Sequence, residues 1–314
     1  MRIYSQEQTQ QALPFSQLIP ALQKMFAQGC EVPLRHNHSI AGETGEQKGI
    51  LLLMPAWQVD KWLSVKTVSI FPDNKNKSLS GLHSVVTLYS ADTGVPVAIF
   101  DGNVITSRRT AAASALAAKW LSREDSKTLL IVGAGRVAEL LADAYQSVRN
   151  IERILIWNQT YNKAEQLAKR LSEQGFVVQA VQNLAAACQE ADIVSCATLS
   201  TEPLIHREWL RVGTHLDLIG SFTPAMRETD NGCFVDTSVF VDTSEALIKA
   251  GDLLAPMATG EFSADKVLAT LEDLSLGKHQ GRQSADEITV FKSVGSALED
   301  LAAAILAYEN LSNE

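Results

Sequence analysis

The stretch TLLIVGAGRVAELLADAY, residues 128–145, decides how the second half of the chain folds. Its first five residues predict a buried strand, and the apolar spacing after Val137 predicts an amphipathic helix. Between them, Gly133, Gly135 and Ala138 form a G-x-G-x-x-A pattern. The first glycine allows a tight turn, the second lets the backbone approach a pyrophosphate, and the small third residue lets helix and strand pack closely. The stretch therefore predicts a dinucleotide-binding turn, with an ordinary tight turn as the alternative.

The residues that follow repeat the same alternation of strands and helices. The apolar segments ILIW, FVVQAV, DIVSCAT and THLDLIGS are interleaved with helical patterns such as NKAEQLAKRLSEQ. Strands that alternate with helices indicate a parallel sheet wrapped by helices. The second half of the chain is therefore predicted to be a Rossmann-type, doubly wound α/β domain.

The first 120 residues have a different pattern of apolar segments. After an amphipathic helix over residues 16–28, the apolar segments GILLLMPAW, KWLSVKTVSI, HSVVTLYSA and VPVAIFDG are separated by turn-prone segments such as FPDNKNKS and ADTG. Connections this short leave no room for helical crossovers, so the strands are predicted to be antiparallel. The final helical segment, SVGSALEDLAAAILAYEN, has no strand after it and is expected to pack back on this first region.

These two patterns of strands and helices predict two domains. The length of 314 residues agrees, because it exceeds what one hydrophobic core usually serves. Residues 1–120 and 294–314 are predicted to form an α+β domain with mainly antiparallel strands. Residues 121–293 are predicted to form the Rossmann domain.

Composition restricts the kind of partner that the chain binds. A formal net charge of -9 argues against a nucleic-acid or anionic-membrane binder, because both need a positive surface. The four cysteines are scattered without framework or metal-ligand spacing, which suits a reducing cytoplasm. The amino terminus is too polar for a signal peptide, and no apolar run reaches the length of a membrane span. We expect a cytoplasmic protein with a small-molecule substrate.

The end of the second Rossmann strand bears on the choice of dinucleotide. An NAD-selective site usually has an acid about 20 residues after the glycine motif, where it binds the ribose hydroxyls. Here the segment reads ILIWNQTYNK, and Asn158, Thr160 and Lys163 could accept a 2′-phosphate instead. NADPH is therefore favoured, and NADH stays open because no arginine is present to clamp the phosphate.

Three basic residues stand in unusual settings in the first region. Arg35 follows the segment VPL, Lys66 lies inside the apolar strand LSVKTVSI, and Arg109 is placed at the start of an alanine-rich helix. A lysine within an apolar strand is uncommon, and a cation at a helix start is locally unfavourable. If the three side chains converge, they form a pocket for a small carboxylate, with arginine supplying a two-donor grip. Surface salt bridges are the alternative that spacing leaves open.

Several motifs together resemble the ornithine cyclodeaminase and μ-crystallin family: KTVSIFPDN, TGVPVAIFDGNVITSRRTAAASALAAKWL, LLIVGAGRVA, IGSFTPAMRE and GRQSADEITVFKSVGSALEDLAAA. The resemblance implies a homodimer formed through the amino-terminal, substrate-binding domain, and a nicotinamide cofactor in the second domain. It also implies that Arg35 and Arg109 bind a substrate carboxylate. Lys66 matches the active-site lysine of the family, as a proton donor or as a further anchor for the carboxylate. Arg108, at a variable position of the family, is interpreted as a surface or cofactor-side charge.

One segment separates the activities of this family. Cyclodeaminases resemble one another in a G-D-x-P-G-K segment whose aspartate handles the substrate amine, and Phe222 in IGSFTPAMRE stands where that aspartate would be. A phenyl ring neither accepts a proton nor binds an ammonium by charge. The segment resembles the branch that reduces the cyclic ketimines Δ1-pyrroline-2-carboxylate and Δ1-piperideine-2-carboxylate to L-proline and L-pipecolate. The expected enzyme is an NAD(P)H-dependent oxidoreductase acting on C=N.

Three alternatives stay open beside this ketimine reductase. Two are other enzyme activities on the same scaffold, ornithine cyclodeaminase and alanine dehydrogenase. The third is a non-catalytic, NADPH-dependent binding protein of the crystallin type.

The remaining candidates complete the expected sites. Phe222 is expected to contact the substrate ring or, alternatively, to close a core, and His83 is a further substrate contact. Asp217 is expected near the end of a strand, facing a ligand or buried with its hydrogen bonds satisfied. His36 and His38 are interpreted as loop contacts, and no metal site is expected. The expected cofactor-binding residues are Gly133, Ala134, Gly135, Arg136, Val137, Asn158, Thr160, Lys163 and Thr198.

Overall fold

The structure is a computed structural model that describes residues 1–312 and every side chain in that range except that of Lys75. The chain forms two compact units. The first unit is Met1–Arg109 together with the chain from Ser296 onward, and the second is Thr110–Gly295.

The division between the units falls inside a helix, between Arg109 and Thr110. The limits expected from the sequence, 1–120 with 294–314 and 121–293, divide that helix only before its last residue, Leu121. Arg109 therefore belongs to the first unit together with all residues that precede it.

The strands are, in chain order, β1 (Arg2–Ile3), β2 (His36–Ala41), β3 (Gln47–Gln58), β4 (Trp62–Ile70), β5 (Leu82–Ser90), β6 (Pro96–Asp101), β7 (Thr128–Val132), β8 (Arg153–Trp157), β9 (Val178–Ala180), β10 (Ile193–Cys196), β11 (His215–Leu218), β12 (Ser238–Val241), β13 (Val267–Thr270) and β14 (Thr289–Lys292). The α-helices are α1 (Gln6–Gln11), α2 (Phe15–Gln28), α3 (Gly102–Leu121), α4 (Ala138–Gln146), α5 (Tyr161–Glu173), α6 (Leu184–Glu190), α7 (Ala246–Lys249), α8 (Gly251–Thr259), α9 (Leu271–Ser275) and α10 (Ala297–Ser312). Short 3-10 helices cover Pro72–Lys77, Arg207–Trp209, Asn231–Phe234 and Ala264–Lys266.

The first unit contains a sheet with the strand order β1-β6-β5-β4-β3-β2. Every neighbouring pair from β2 to β6 is antiparallel, and β1 pairs parallel with β6. The predicted, mainly antiparallel sheet is confirmed. The structure adds β2, which holds His36 and His38 at the exposed edge of the sheet, so their interpretation as loop contacts is wrong.

Helices α2 and α10 pack on each other, and α10 also packs on β3, β4 and β5. The apolar positions of α2 recur every three or four residues, which places the buried Leu18, Leu22 and Phe26 on one face. Burying each such side chain contributes about 1.5–3 kcal/mol. The sequence expectation that the last helix returns to the first region is confirmed by these contacts.

The second unit contains a parallel sheet with the order β13-β12-β14-β11-β10-β7-β8-β9. All residues of β10, β11 and β14 are buried, as expected for central strands covered by helices on both faces. Within this sheet, the chain begins with β7, continues through β8 to the edge strand β9, and then returns to form β10 on the other side of β7. This reversal makes the carboxyl ends of β7 and β10 the switch point where open α/β sheets bind ligands.

No helix among the described residues combines the length and apolar character needed to cross a bilayer.

Candidate active site

Lys66 is buried in the middle of β4, with only 2% of its surface exposed. Its Nζ atom lies 2.6 Å from Oδ2 of Asp300 on α10 and donates a hydrogen bond of 3.2 Å to Oγ1 of Thr106 on α3. The alternation of side chains along β4 turns Ser64, Lys66 and Val68 to the buried face of the sheet. The charged group is therefore held under the helices and not at the surface.

Arg109 is 6% exposed and contacts two carboxylates of α10. Its Nη1 lies 2.8 Å from Oε2 of Glu299, and its Nε donates a hydrogen bond of 3.1 Å to Oδ1 of Asp300. Asp300 thus bridges Arg109 and Lys66, so the structure brings together two of the three expected basic residues. The alternative of surface salt bridges is excluded for this pair by its burial.

The start of α3 fixes where Arg109 stands. Oδ1 of Asp101 accepts a hydrogen bond of 2.8 Å from the Val104 amide, and α3 begins at Gly102. A Cβ atom at Gly102 would lie 2.7 Å from the backbone of Ser84, so glycine allows the helix to begin close against β5. Arg109 therefore lies about two turns inside the helix, and its expected place at a helix start is wrong.

Burial and charge act in opposite directions on this cluster. Desolvation lowers the pKa of Lys66 to about 8, although the Asp300 carboxylate favours the charged amine. Burial would raise the pKa of Asp300, but the Lys66 and Arg109 cations outweigh it and hold that pKa below its usual value. An amine with a pKa this close to neutrality can exchange a proton near neutral pH.

Arg35 immediately precedes β2 and is half-buried. His36 pairs with Leu53, and Met54 pairs with Lys66. Arg35 lies one residue before this pairing begins, two strands away from β4 and Lys66. Two strand spacings amount to about 10 Å, within the combined reach of the two long side chains.

Arg108, adjacent to Arg109, serves a different purpose. It is 7% exposed, its Nε donates a hydrogen bond of 2.7 Å to the Leu13 carbonyl, and its guanidinium lies 4.4 Å from the centre of the Phe15 ring. The interpretation of Arg108 as a surface or cofactor-side charge is wrong, because it ties α3 to the start of α2.

In the second unit, the turn between β7 and α4 has the geometry that its glycines predict. Gly133 adopts a φ of +120°, and a Cβ there would lie 2.5 Å from the Ala197 carbonyl oxygen, so glycine is needed. A Cβ at Gly135 would meet no atom within 4 Å. Backbone exposed in this way, beside the amino terminus of α4, fits a dinucleotide pyrophosphate.

The residues expected to select the dinucleotide lie after β8. Asn158 is half-buried and its Nδ2 donates a hydrogen bond of 3.0 Å to the Thr160 carbonyl, while Thr160 and Lys163 are exposed at the start of α5. Thr198, just after β10, donates hydrogen bonds of 2.8 Å from its amide and from its hydroxyl to Oε1 of Glu228. The hydroxyl of Thr198 is thus held by the protein itself.

Two candidates of the substrate site are at the surface of their units. His83 is exposed on β5, with a ring nitrogen 3.0 Å from the Ser80 carbonyl oxygen. Phe222 follows β11 and is 45% exposed within the chain. Phe222 therefore does not close a core, which leaves its ring free to contact a ligand.

Asp217 in β11 is a buried carboxylate with satisfied hydrogen bonds. It accepts hydrogen bonds from the hydroxyls of Ser114 (3.0 Å), Tyr145 (2.8 Å) and Ser195 (2.5 Å). Burial raises its pKa to about 6, against the effect of these hydroxyls. Of the two roles considered for it, the structure favours the internal one.

A second buried charge cluster, which the sequence reasoning missed, surrounds Lys292 at the end of β14. Its Nζ donates hydrogen bonds to the carbonyls of Leu218, at 2.9 Å, and Gly220, and lies 3.8 Å from Oδ2 of Asp252. Burial raises the pKa of nearby Glu228 to about 8; Lys292 opposes this shift and Asp252 adds to it. The signal in the sequence was a lysine that closes the apolar strand TVFK.

Glu299 and Asp300 were also missed as members of the first cluster. Two adjacent acids inside the otherwise apolar segment ALEDLAAA were the visible signal. Across residues 1–312, no group of three or more histidine, cysteine, aspartate or glutamate residues could hold a metal ion.

Comparison with known proteins identifies the family. The model of the ornithine cyclodeaminase/mu-crystallin family matches residues 2–314, so the chain belongs to that family. A Δ1-pyrroline-2-carboxylate reductase of Colwellia psychrerythraea is 37% identical over 100% of both chains.

Solved structures give the same relationship. The Δ1-pyrroline-2-carboxylate reductase of Thermococcus litoralis, solved with NADH and L-proline, is 33% identical with a TM-score of 0.92, and the match covers 100% of this chain and 98% of that one. A dimeric archaeal alanine dehydrogenase with bound NAD is 27% identical with a TM-score of 0.88, over 99% and 96% of the two chains.

Proposed function

We propose that this member of the ornithine cyclodeaminase/mu-crystallin family reduces the cyclic ketimines Δ1-pyrroline-2-carboxylate and Δ1-piperideine-2-carboxylate to L-proline and L-pipecolate. The observation that carries the proposal is the buried pairing of Lys66 and Arg109 through Asp300. Two cations under the helices of a small domain suit a substrate that presents one carboxylate. The similarity to Δ1-pyrroline-2-carboxylate reductases supports the same reaction.

The substrate carboxylate is bound by Arg109 and Arg35, and Lys66 is the proton donor or a further anchor for that carboxylate. Arginine offers two parallel N–H donors to a carboxylate, which fixes the plane of the substrate. A protonated imine accepts hydride better than a neutral one. With a pKa of about 8, Lys66 keeps a proton near neutral pH that it can share with the imine nitrogen.

A reduced nicotinamide supplies the hydride when it is bound. The residues that would hold it are those of the turn from Gly133 to Val137, whose open backbone at Gly135 fits a pyrophosphate, together with Thr198 after β10. Asn158, Thr160 and Lys163 would bind the adenosine ribose, and the absence of an acid at Asn158 favours NADPH over NADH.

Phe222 and His83 are proposed to contact the substrate ring. The exposed phenyl ring suits a row of methylenes and supplies no charge for an ammonium group. This is the reason to prefer ketimine reduction to ornithine cyclodeamination, in which the substrate amine needs an acidic partner.

The chain is proposed to act as a homodimer. The face of the first sheet opposite Lys66 presents Leu53, Leu63, Val65, Val85 and Ile99, all of them half-buried or exposed. A continuous apolar face of this kind is typical of a protein interface. Val65→Glu is expected to yield monomers in light scattering, and an unchanged molecular mass would contradict this interface.

A cytoplasmic location is proposed on the four cysteines, all of which are free thiols in the structure.

A single assay tests the proposed activity. Nicotinamide oxidation is followed with each cyclic imine, using NADPH and NADH in parallel, and ornithine with NAD serves as the control for cyclodeamination. We expect consumption with at least one imine and no ammonia from ornithine. No consumption with either imine would overturn the proposal, and ammonia-dependent oxidation with pyruvate would indicate an alanine dehydrogenase.

A further inference from the structure

We infer that Asp300 and Glu299 on α10 are positioning residues for the proposed reaction, in which Asp300 keeps Lys66 protonated and Glu299 orients Arg109. The inference rests on the proposed function, because it assigns a task to residues behind the proposed substrate-binding cations. Helix α10 would thereby control the protonation of the site.

The contacts of Asp300 carry the first part. Its two oxygens are divided between two cations: Oδ2 lies 2.6 Å from Lys66 Nζ, and Oδ1 accepts a hydrogen bond of 3.1 Å from Arg109 Nε. The Asp300 side chain is 1% exposed and that of Lys66 is 3% exposed. Water therefore contributes little to the stabilisation of the charged amine, and Asp300 is its main electrostatic partner.

Glu299 occupies the other end of the cluster. Its Oε2 lies 2.8 Å from Arg109 Nη1, and its Oε1 accepts a hydrogen bond of 3.2 Å from the amide of Ser296, the residue before α10. The Glu299 side chain is thus anchored at both oxygens. Arg109 is held from two sides, which fixes the plane of its guanidinium.

Stability alone does not account for four charges in this position. Buried ion pairs are often replaceable by apolar residues of similar volume without loss of stability. The neighbouring positions of α10 are filled by Leu301, Ala302 and Ala303, which pack without charge. A helix that only covered the sheet would therefore not need an acidic pair at this turn.

The groups around Lys66 leave Asp300 as the dominant influence. From β3 and β5 it faces Met54 and Val86, which carry no charge. From α3 it faces Thr106 and Arg109, and from α10 it faces Asp300 and Glu299, while Arg35 precedes β2, two strands away. The pKa of Lys66, lowered to about 8 by burial, is raised by Asp300, lowered by Arg109 and raised, as a smaller effect, by Glu299.

The test compares two isosteric variants, Asp300→Asn and Glu299→Gln, in kcat/KM for the cyclic imine across the pH range from neutral to alkaline. Activity is expected to fall at high pH as Lys66 loses its proton. Removing the Asp300 charge lowers the pKa of Lys66, so the alkaline limb of Asp300→Asn is expected at lower pH by about one unit or more. Glu299→Gln is expected to raise KM about tenfold with a much smaller displacement of the limb.

Two further variants cover the case in which Asp300→Asn does not fold. Asp300→Glu keeps the charge and is expected to keep the limb near that of the unmodified enzyme. Lys66→Arg replaces the titrating amine by a group that stays charged, so its alkaline limb is expected to disappear. A limb that stays in place in Asp300→Asn or in Lys66→Arg would overturn the inference. Absence of imine reduction by the unmodified enzyme would instead overturn the proposed function.

Discussion

The two compact units bury charge in different ways. In the first unit, Lys66 and Arg109 are matched by Asp300 and Glu299 at nitrogen–oxygen distances of 2.6–3.1 Å. In the second unit, Lys292 is surrounded by carbonyls and lies 3.8 Å from the nearest oxygen of Asp252, while the pKa of Glu228 is raised to about 8.

The difference shows which charges are suited to a ligand. Matched pairs keep Lys66 and Arg109 charged although both are buried, and these are the cations that we propose to meet the substrate carboxylate. Lys292 donates its hydrogen bonds to the carbonyls of Leu218 and Gly220, so it stabilises the end of β11. In the second unit, the proposed binding surface for the dinucleotide consists of backbone atoms in the turn after β7.

The largest expected effect is that of Arg109→Ala. Removing the guanidinium takes away the proposed grip on the substrate carboxylate, and kcat/KM for the cyclic imine is expected to fall about 1000-fold, equivalent to about 4 kcal/mol. Nicotinamide binding, measured by fluorescence titration, is expected to be unchanged. Steady-state kinetics of the two cyclic imines provide the measurement.

Arg108→Ala is the matched control, because Arg108 lies in the same helix and is equally buried. It is expected to lower the free energy of unfolding by about 1–3 kcal/mol through loss of the bond to the Leu13 carbonyl, with KM for the imine retained. Equal losses of kcat/KM in the two variants would remove the distinction between a substrate-binding and a structural arginine.

Two glycine variants separate folding from ligand binding in the turn after β7. Gly133→Ala forces a Cβ against the Ala197 carbonyl at a φ of +120°, and a loss of about 1–3 kcal/mol in unfolding free energy is expected. Gly135→Ala meets open space, so stability is expected to hold while the dinucleotide Kd rises. Thermal melts with and without cofactor measure both stability and dinucleotide binding. Unchanged stability of Gly133→Ala would contradict the steric need for glycine at this position.

Glu228→Gln tests whether the second cluster retains a proton. A carboxyl whose pKa is about 8 in the folded chain and 4.5 otherwise weakens folding progressively as the pH rises between these values. The amide does not titrate, so the variant is expected to gain about 1 kcal/mol of stability relative to the parent per pH unit in that window. Urea denaturation at several pH values measures the difference, and parallel pH profiles would exclude a protonated Glu228.

The smallest effect is expected from Lys163→Ala. Lys163 is an exposed residue proposed to meet the 2′-phosphate, and solvent screens such a contact. KM for NADPH is expected to rise several-fold with KM for NADH unchanged. Equal changes for both cofactors would place Lys163 outside the phosphate contact.

The sequence was sufficient for most of the fold because its signals are local. The strand from Thr128 to Val132, the glycine turn and the amphipathic helices are each visible within a short window. The edge strand β2, with the sequence HNHSIA, has no apolar alternation, and its conformation depends on pairing with β3. A strand of this kind is specified by its neighbour and not by its own residues.

The basic residues of the candidate site could be predicted from the sequence, but their acidic partners could not. Lys66 and Arg109 are conspicuous, but Glu299 lies 190 residues from Arg109 in the chain, and no local pattern connects them. The roles of Arg108 and Arg109 were separated by the structure, which shows carbonyl and ring contacts for one and carboxylates for the other.

Helix α10 carries both carboxylates of the first cluster and is synthesised after the whole second unit. During synthesis, β4 and the start of α3 emerge long before Glu299 and Asp300. Lys66 and Arg109 therefore lack these two carboxylate partners while the second unit is synthesised. The first unit can form early strand pairs, but its core and its charge balance close only after synthesis of α10. The buried charge cluster of the first unit is therefore complete only after the second unit has been synthesised.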